Sequence, residues 1–242
     1  PPPPPPPPPP FFLHPEPGIR DPLWSRGLGD VYKRQFPYEK VSQLVDDIQL
    51  IADSLTENKG EQAGLFAVQR LLRRIHTFEF HMVTLDIRQD SEVHRNVVGE
   101  ILGEEDWDEM SATDRAARIS EAIESRESVP INLSTQARKT IAIFQAVAFC
   151  RRKYGAKAIG PFIVSMTQGA DDILSVILLA QWGELHNKHG DVPLDIAPLL
   201  ETVDDLQNGP DILESLLSSD LYRKHLKLRD DRQMIMIGYS DS

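Results

Sequence analysis

Four short apolar runs along the chain are each followed by polar residues, and three of these residues can do chemistry. Arg88 lies in LDIRQD, Glu201 ends the run in LLET, and Asp241 ends the run in IGYSDS. Carboxylate oxygens are hard ligands that suit Mg²⁺ or Mn²⁺. The guanidinium of Arg88 offers a rigid fork for a phosphate or a carboxylate. These residue types indicate a metal-assisted reaction on a small phosphorylated or carboxylated metabolite.

The same residues are also compatible with a purely structural role at helix starts. We expect the aspartate pairs 171–172 and 204–205 to lie in the first turns of helices, where negative charge is favourable. For Glu201 and Asp241 the pattern alone leaves both interpretations open, a helix cap or a metal ligand.

Strand candidates alternate with helical patterns, and this order favours an α/β fold with a parallel sheet. The carboxyl ends of parallel strands meet at one edge, so the polar residues should converge there. A capping-box spacing between Thr202 and Asp205 predicts that a helix follows the third strand directly, and Pro210 is expected at the start of another. The predicted strands are 82–87, 157–166, 194–202 and 232–242, and the predicted helices are 39–57, 61–78, 91–102, 111–125, 134–153, 170–185 and 210–227.

Residues 1–35 are expected to be a disordered leader that is not native to the protein. Ten prolines open it, and they can form only a short polyproline II rod. The stretch SRGLGDVYKRQ, residues 25–35, back-translates in frame to an adapter used in transposase-made sequencing libraries. An ordinary proline-rich leader is the alternative. In either case we assign the fold to a single domain over 36–242.

The composition of residues 36–242 is acidic. The whole chain carries a net charge of −11, and residues 1–35 contribute +1 from four Lys/Arg and three Asp/Glu, which leaves −12. This charge argues against a general nucleic-acid or anionic-membrane partner, but it allows a local basic pocket for an anionic substrate. The sequence has no run of 18 apolar residues that would predict a membrane span. Its one cysteine, Cys150, is consistent with the cytosol.

Four stretches resemble consecutive motifs of the phosphoenolpyruvate carboxylase family, in order and at similar spacing. They are FHMVTLDIRQDSEVH, FIVSMTQGADDILSVILLAQ, APLLETVDDLQNGPDIL and RQMIMIGYSDS. The resemblance covers essentially all of 36–242 and implies a helix-dominated α/β fold, a partial (β/α)₈ TIM-like barrel with four short parallel strands. It also implies a cytoplasmic, homotetrameric parent enzyme. That enzyme converts phosphoenolpyruvate and bicarbonate to oxaloacetate and phosphate with Mg²⁺ or Mn²⁺, an anaplerotic fixation of carbon.

The resemblance implies roles for individual residues. Glu201 and Asp241 match the family's metal carboxylates, and Arg88 matches an arginine that contacts the substrate. Met236 matches an apolar residue near the place where CO₂ is held, with ordinary core packing as the alternative. No catalytic residue is expected within the chain. The family's catalytic histidine lies upstream of the matching segment, and its catalytic lysine would fall two residues after Ser242, so we expect the chain alone to be inactive.

Two other functions remain open at this point. One is another metal-dependent barrel enzyme that acts on phosphoenolpyruvate or pyruvate. The other is a non-catalytic helical module that binds a partner, which an apolar stripe left exposed by the paired strands would favour. A lysine and a glycine-rich loop encoded directly after Ser242 would instead favour the carboxylase.

Removal of residues 1–35 is expected to leave the folded domain unchanged, because a polyproline rod and a translated adapter have no core to join. A chain of 36–242 should unfold in urea at the same midpoint and with the same m value as the full chain. A lower midpoint or a smaller m value would show that the leader contributes buried surface.

Overall fold

The structure, a computed structural model, describes residues 37–238 of the chain. Its strands β1 Leu85–Asp90, β2 Ile159–Ser165, β3 Ile196–Leu200 and β4 Met236–Ile237 form one sheet in chain order, and every neighbouring pair is parallel. This confirms the predicted helix-dominated α/β fold with four parallel strands. Within the described range the sheet is open at β1 and β4, consistent with part of a barrel. The predicted leader lies outside these residues and stays a prediction.

Eight α-helices connect and cover the strands between residues 37 and 238. The first two form a hairpin before β1 and are joined by a π-helical turn at Glu61–Leu65. No helix in this range is long and apolar enough to cross a membrane. The helices are α1 Val41–Glu57, α2 Phe66–Phe78, α3 Ser91–Leu102, α4 Ala112–Ser125, α5 Thr135–Tyr154, α6 Ala170–Trp182, α7 Val203–Ser218 and α8 Asp220–Lys227.

Local capping chemistry explains where the helices around the core begin and end. The carboxylate of Asp90 accepts a hydrogen bond from the N–H of Glu92 at 2.8 Å and starts α3 directly after β1. The hydroxyl of Ser111 accepts from the N–H of Asp114 at 3.1 Å and starts α4. Gly103 ends α3 with φ of 69°, a left-handed conformation that glycine adopts without steric cost. The capping residues in the sequence therefore coincide with the observed ends of these helices.

Helix α6 is the centre of the core. Every residue from Ala170 to Ala180 is buried, and the helix packs against α3, α4, α5, α7 and β3. A helix that is apolar on all sides must be buried on all sides, which explains why its sequence shows little amphipathic pattern. Because four helices contact it, α6 fixes how the outer layer sits on the sheet.

The two faces of the sheet carry different side chains. Phe162 and Val164 of β2 point toward the helices and join the main core. Ile163 lies between them and forms a separate small cluster with Ala197 and Leu199 on the opposite face, which we call the inner face. A parallel strand that is covered on both sides has a nearly continuous apolar sequence, and β2 and β3 fit this description.

The first strand begins three residues later than predicted. The run at 82–87 was expected to be a buried strand, whereas β1 spans Leu85–Asp90 and the backbone at Met82 is left-handed, with φ of 66°. Met82, Val83 and Leu85 are exposed. In the described sheet β1 is an edge strand that pairs only with β2, so apolar composition at this point does not imply burial.

The position predicted for Pro210 was wrong. This residue lies inside α7, not at a helix start. The helix had already begun at the Thr202 cap, and the fixed φ of proline is compatible with continuing it, at the loss of one hydrogen bond. The break comes instead at Ser219, whose hydroxyl accepts from the N–H of Tyr222 at 3.4 Å and starts α8.

Two buried aspartates at the start of α6 pair with arginines from α3 and α4. Arg95 Nη2 lies 2.8 Å from Asp172 Oδ1, and Arg115 Nε lies 2.7 Å from Asp171 Oδ2. The second oxygen of Asp172 accepts from the N–H of Gln168 at 2.8 Å. Burial, followed by the neighbouring charge of Asp172, raises the pKa of Asp171, and Arg115 opposes this shift. Asp171 and Asp172 lie in the first turn of α6, as predicted, and they also join α6 to α3 and α4.

Two histidines are buried in the core as neutral groups. The ring of His94 packs against those of Phe144 and Phe162, and among the described residues neither of its nitrogens has a hydrogen-bond partner. Burial lowers the pKa of His94 to about 4, although Asp90 opposes the shift. Burial and then the charge of Arg229 lower the pKa of His225 to about 4. Both groups disfavour a proton in the folded state.

Acidification is therefore expected to destabilise the fold. The folded-state pKa of His94 lies below the ordinary value of 6.5, so the unfolded chain binds the proton more tightly. The contribution of His94 to stability is complete above pH 6.5, declines as the pH falls, and is lost below about pH 4. The loss per buried histidine is roughly 3 kcal/mol.

Urea unfolding of a His94→Leu variant between pH 4 and 7 measures this effect. We expect its free energy of unfolding to fall less steeply with acidification than that of the unmodified chain, with the remaining slope due partly to His225. The matched control is His76→Leu, at an exposed position, which should keep the original slope. An unchanged slope for His94→Leu would contradict the assignment.

Candidate active site

The inner face of the sheet brings Arg88 and Glu201 into contact. Arg88 of β1 is in register with Ile163 of β2, and Glu201 directly follows β3. A terminal nitrogen of Arg88 donates to Oε1 of Glu201, so this ion pair crosses over β2. The side chain of Glu201 is only 6% exposed, whereas that of Arg88 is 53% exposed. A buried carboxylate is thus joined to a guanidinium that is half in solvent.

A second carboxylate fixes the backbone that carries Glu201. Asp205 Oδ2 accepts from the N–H of Glu201 at 3.2 Å and from the N–H of Thr202 at 3.0 Å. The hydroxyl of Thr202 accepts in return from the N–H of Asp205 at 3.1 Å, which completes the predicted capping box. The helix cap of α7 therefore also sets the position of the candidate ligand at the end of β3.

Gly238, the residue after β4, lies directly beside Glu201. Its N–H donates to the carbonyl of Leu200 at 2.8 Å, which continues the pairing of β4 with β3. A Cβ atom at Gly238 would lie 3.0 Å from Cα and 3.2 Å from Cγ of Glu201. Glycine at this position leaves the glutamate side chain the space that it needs.

The two remaining predicted site residues lie in or after β4. Met236 is in register with Leu199, which belongs to the inner-face cluster, so Met236 lies in the sheet beside the candidate site. Met236 is 37% exposed and belongs to neither apolar core cluster of the described residues. Asp241 lies outside the described residues, three positions after Gly238, and its assignment as a metal ligand stays a prediction.

Other arginines at the same end of the sheet are already engaged. A cleft of about 490 Å³ opens beside the carboxyl ends of β1 and β2, with Arg95 and Arg115 among its lining residues. Their side chains are 19% and 11% exposed, and both are paired with the buried aspartates of α6. Of these three arginines, Arg88 has the most surface available for an anionic ligand.

The donor chemistry of Glu201 fits a divalent cation. Its carboxylate is a hard oxygen donor at the carboxyl end of a parallel strand, and its backbone is held on both sides. Within residues 37–238 there is no group of three or more His, Cys, Asp or Glu side chains that could hold a metal ion. Mg²⁺ keeps several waters and needs only one or two carboxylates, so a site completed by Asp241 is compatible with this observation.

Comparison with known proteins identifies the family. The family model for phosphoenolpyruvate carboxylase matches residues 24–242. Curated phosphoenolpyruvate carboxylases are similar over 85% of this chain: that of Xanthomonas oryzae pv. oryzae is 47% identical over 205 residues, that of Mycobacterium leprae 35% over 219, and that of Aromatoleum aromaticum 34% over 215. The chain belongs to the phosphoenolpyruvate carboxylase family. It spans 23–24% of the length of these relatives.

Arg88 and Glu201 were both predicted as site residues, but their direct contact was not predicted. Asp205 was predicted only as a helix cap. The capping-box spacing was the signal for Asp205, but no pattern in one sequence shows that the same carboxylate binds the N–H of Glu201. That bond depends on how the chain leaves β3, which only the folded backbone defines.

Replacing Asp205 by alanine is expected to destabilise the domain by about 1–3 kcal/mol, because two backbone N–H groups lose a charged acceptor. The matched control is Asp204→Ala, which removes the same charge from the same helical turn at an exposed position. That change should cost less than about 1 kcal/mol. Urea unfolding of both variants measures the difference, and equal losses would contradict this role of Asp205.

Proposed function

We propose that this chain is part of a phosphoenolpyruvate carboxylase, whose whole protein joins phosphoenolpyruvate and bicarbonate to give oxaloacetate and phosphate. The observation that supports this most directly is the contact between Arg88 and Glu201 at the carboxyl end of a parallel sheet, in a chain of this family. Barrels of this type assemble their active sites at that end. The curated relatives carry the same activity in their names.

Glu201 and Asp241 are proposed to hold Mg²⁺ or Mn²⁺. When bound, the cation would supply positive charge beside the negative charge that develops on the substrate oxygen as its phosphate departs. Glu201 contributes an oriented oxygen, because Asp205 holds its backbone N–H and Gly238 leaves room for its side chain. A ligand that is already oriented needs no rearrangement when the cation enters.

Arg88 is proposed to bind the phosphate or carboxylate of phosphoenolpyruvate. Its fork of N–H donors matches either group, and about half of its side chain is exposed. In the proposed reaction the phosphoryl group passes to bicarbonate, and the enolate carbon then attacks the CO₂ that is released from the carboxyphosphate. Met236 is proposed to provide an apolar wall near the place where this CO₂ is held.

We propose that the parent enzyme is a cytosolic homotetramer. Its family membership and the presence of a single cysteine support this assignment. The acidic composition argues against nucleic acid as a general partner and allows a small anionic substrate only at a local basic group such as Arg88.

The chain alone is expected to bind Mn²⁺ weakly and to show no turnover. Electron paramagnetic resonance of free Mn²⁺ measures the binding, and we expect Glu201→Gln and Asp241→Asn each to weaken it by roughly tenfold or more. Glu214→Gln removes an exposed carboxylate of α7 and is the matched control, with unchanged binding. Unchanged binding in Glu201→Gln would contradict the proposed metal site.

An assay that couples oxaloacetate formation to NADH oxidation tests turnover with phosphoenolpyruvate, bicarbonate and Mg²⁺. We expect no activity above background, since the chain spans about a quarter of the length of its relatives and groups that act as a unit lose most of their effect when some are missing. Turnover that disappears in Asp241→Ala would show that the chain carries catalytic groups that we have not identified.

A further inference from the structure

We propose that Arg88 is a built-in counter-cation for Glu201, which competes with a divalent cation for the same carboxylate and leaves it when the cation binds. This inference rests on the proposed function, because it concerns the metal site assigned to Glu201. Arg88 would then have a second role besides contact with the substrate. By competing for Glu201, Arg88 would set the apparent affinity of the site for its metal.

The ion pair lies where a cation would bind. Arg88 reaches across β2 from β1 and donates to Oε1 of Glu201, which is the carboxylate that a cation would need. Asp205 is bonded to the backbone N–H of Glu201, and Gly238, directly after β4, lies so close that an added Cβ would be 3.0 Å from Cα of Glu201. The guanidinium and a cation would therefore approach the carboxylate in the same confined region.

The buried negative charge of Glu201 needs a positive partner. The side chain of Glu201 is almost fully buried, and a buried carboxylate is unfavourable unless a positive charge compensates it. Arg88 supplies that charge. A divalent cation at the same oxygen would supply it more strongly, and it would repel the guanidinium at short range. One cationic partner at a time is therefore the favourable arrangement.

Arg88 can leave Glu201 easily because about half of its side chain is exposed. The guanidinium is hydrated as soon as it moves away, whereas the buried carboxylate passes directly to its new cationic partner. The long stem can rotate into solvent without opening the core, because the apolar cluster of the inner face consists of Ile163, Ala197 and Leu199 and does not include Arg88. Binding of the cation would thus release the arginine fork toward an incoming anion, and the buried carboxylate would keep a counter-charge throughout.

Mn²⁺ binding to an Arg88→Met variant of the full chain tests the inference. This substitution keeps an unbranched stem and removes the charge and the donors. We expect its affinity for Mn²⁺ to rise by roughly two- to fivefold, because a competing cation is lost from the carboxylate. The matched control is Arg152→Met, an exposed position on α5. It changes the net charge equally and should leave the affinity unchanged.

The outcomes separate this inference from the proposed function. Unchanged or weaker binding in Arg88→Met, together with lost binding in Glu201→Gln, would overturn the competition and leave the metal site intact. Unchanged binding in Glu201→Gln would overturn both. If Arg88→Met does not fold, as judged by circular dichroism, Arg88→Gln replaces it. Glutamine keeps a polar side chain but removes the charge, so the same increase in affinity is expected, and no increase would overturn the inference.

Discussion

Two buried aspartates at the start of α6 constrain how the surrounding helices pack on it. Asp171 and Asp172 lie where the chain turns from β2 into its central helix, and they bind Arg115 of α4 and Arg95 of α3. Buried charges of this kind are tolerated only when they are paired and hydrogen-bonded, and the loss of one partner is costly. The two pairs therefore join α3 and α4 to the start of α6, directly after the carboxyl end of β2. Arg88 lies at the same edge through the register of β1 with β2, in which it is opposite Ile163.

The two faces of the sheet have different roles: one packs against the helices in the main core, and the other carries the candidate site. The face toward the helices is filled by Phe162, Val164 and the residues of α6, and it forms the main core. Among residues 37–238 the inner face carries a small apolar cluster, and Arg88 and Glu201 meet across it at the carboxyl end. Because successive side chains of a strand alternate between faces, a single strand can serve both purposes. The ion pair on the inner face can then change partners without disturbing the helices.

Sequence patterns predicted what depends on local chemistry. The parallel strands, the helix start at residue 91, the helix cap at Thr202 and the placement of Arg88 and Glu201 at one edge follow from periodicity, caps and the α/β order. Two kinds of feature escaped prediction. The start of β1 and the course of α7 through Pro210 depend on which neighbours cover the chain, which composition does not encode. The contacts of Asp171 and Asp172 join residues that are far apart in the sequence, so first-turn aspartates alone gave no sign of their arginine partners.

The parallel pairing of β1 with β2 also matters while the chain is being synthesised. The register partners Arg88 and Ile163 are 75 residues apart, and at common elongation rates β1 emerges from the ribosome roughly 4–15 s before its partner. An unpaired strand with exposed apolar residues can template pairing with other chains. Three of the six residues of β1, LDIRQD, carry charge, and charged residues within a strand discourage such pairing. The arginine that reaches the candidate site in the folded domain thus also helps to keep the nascent strand soluble.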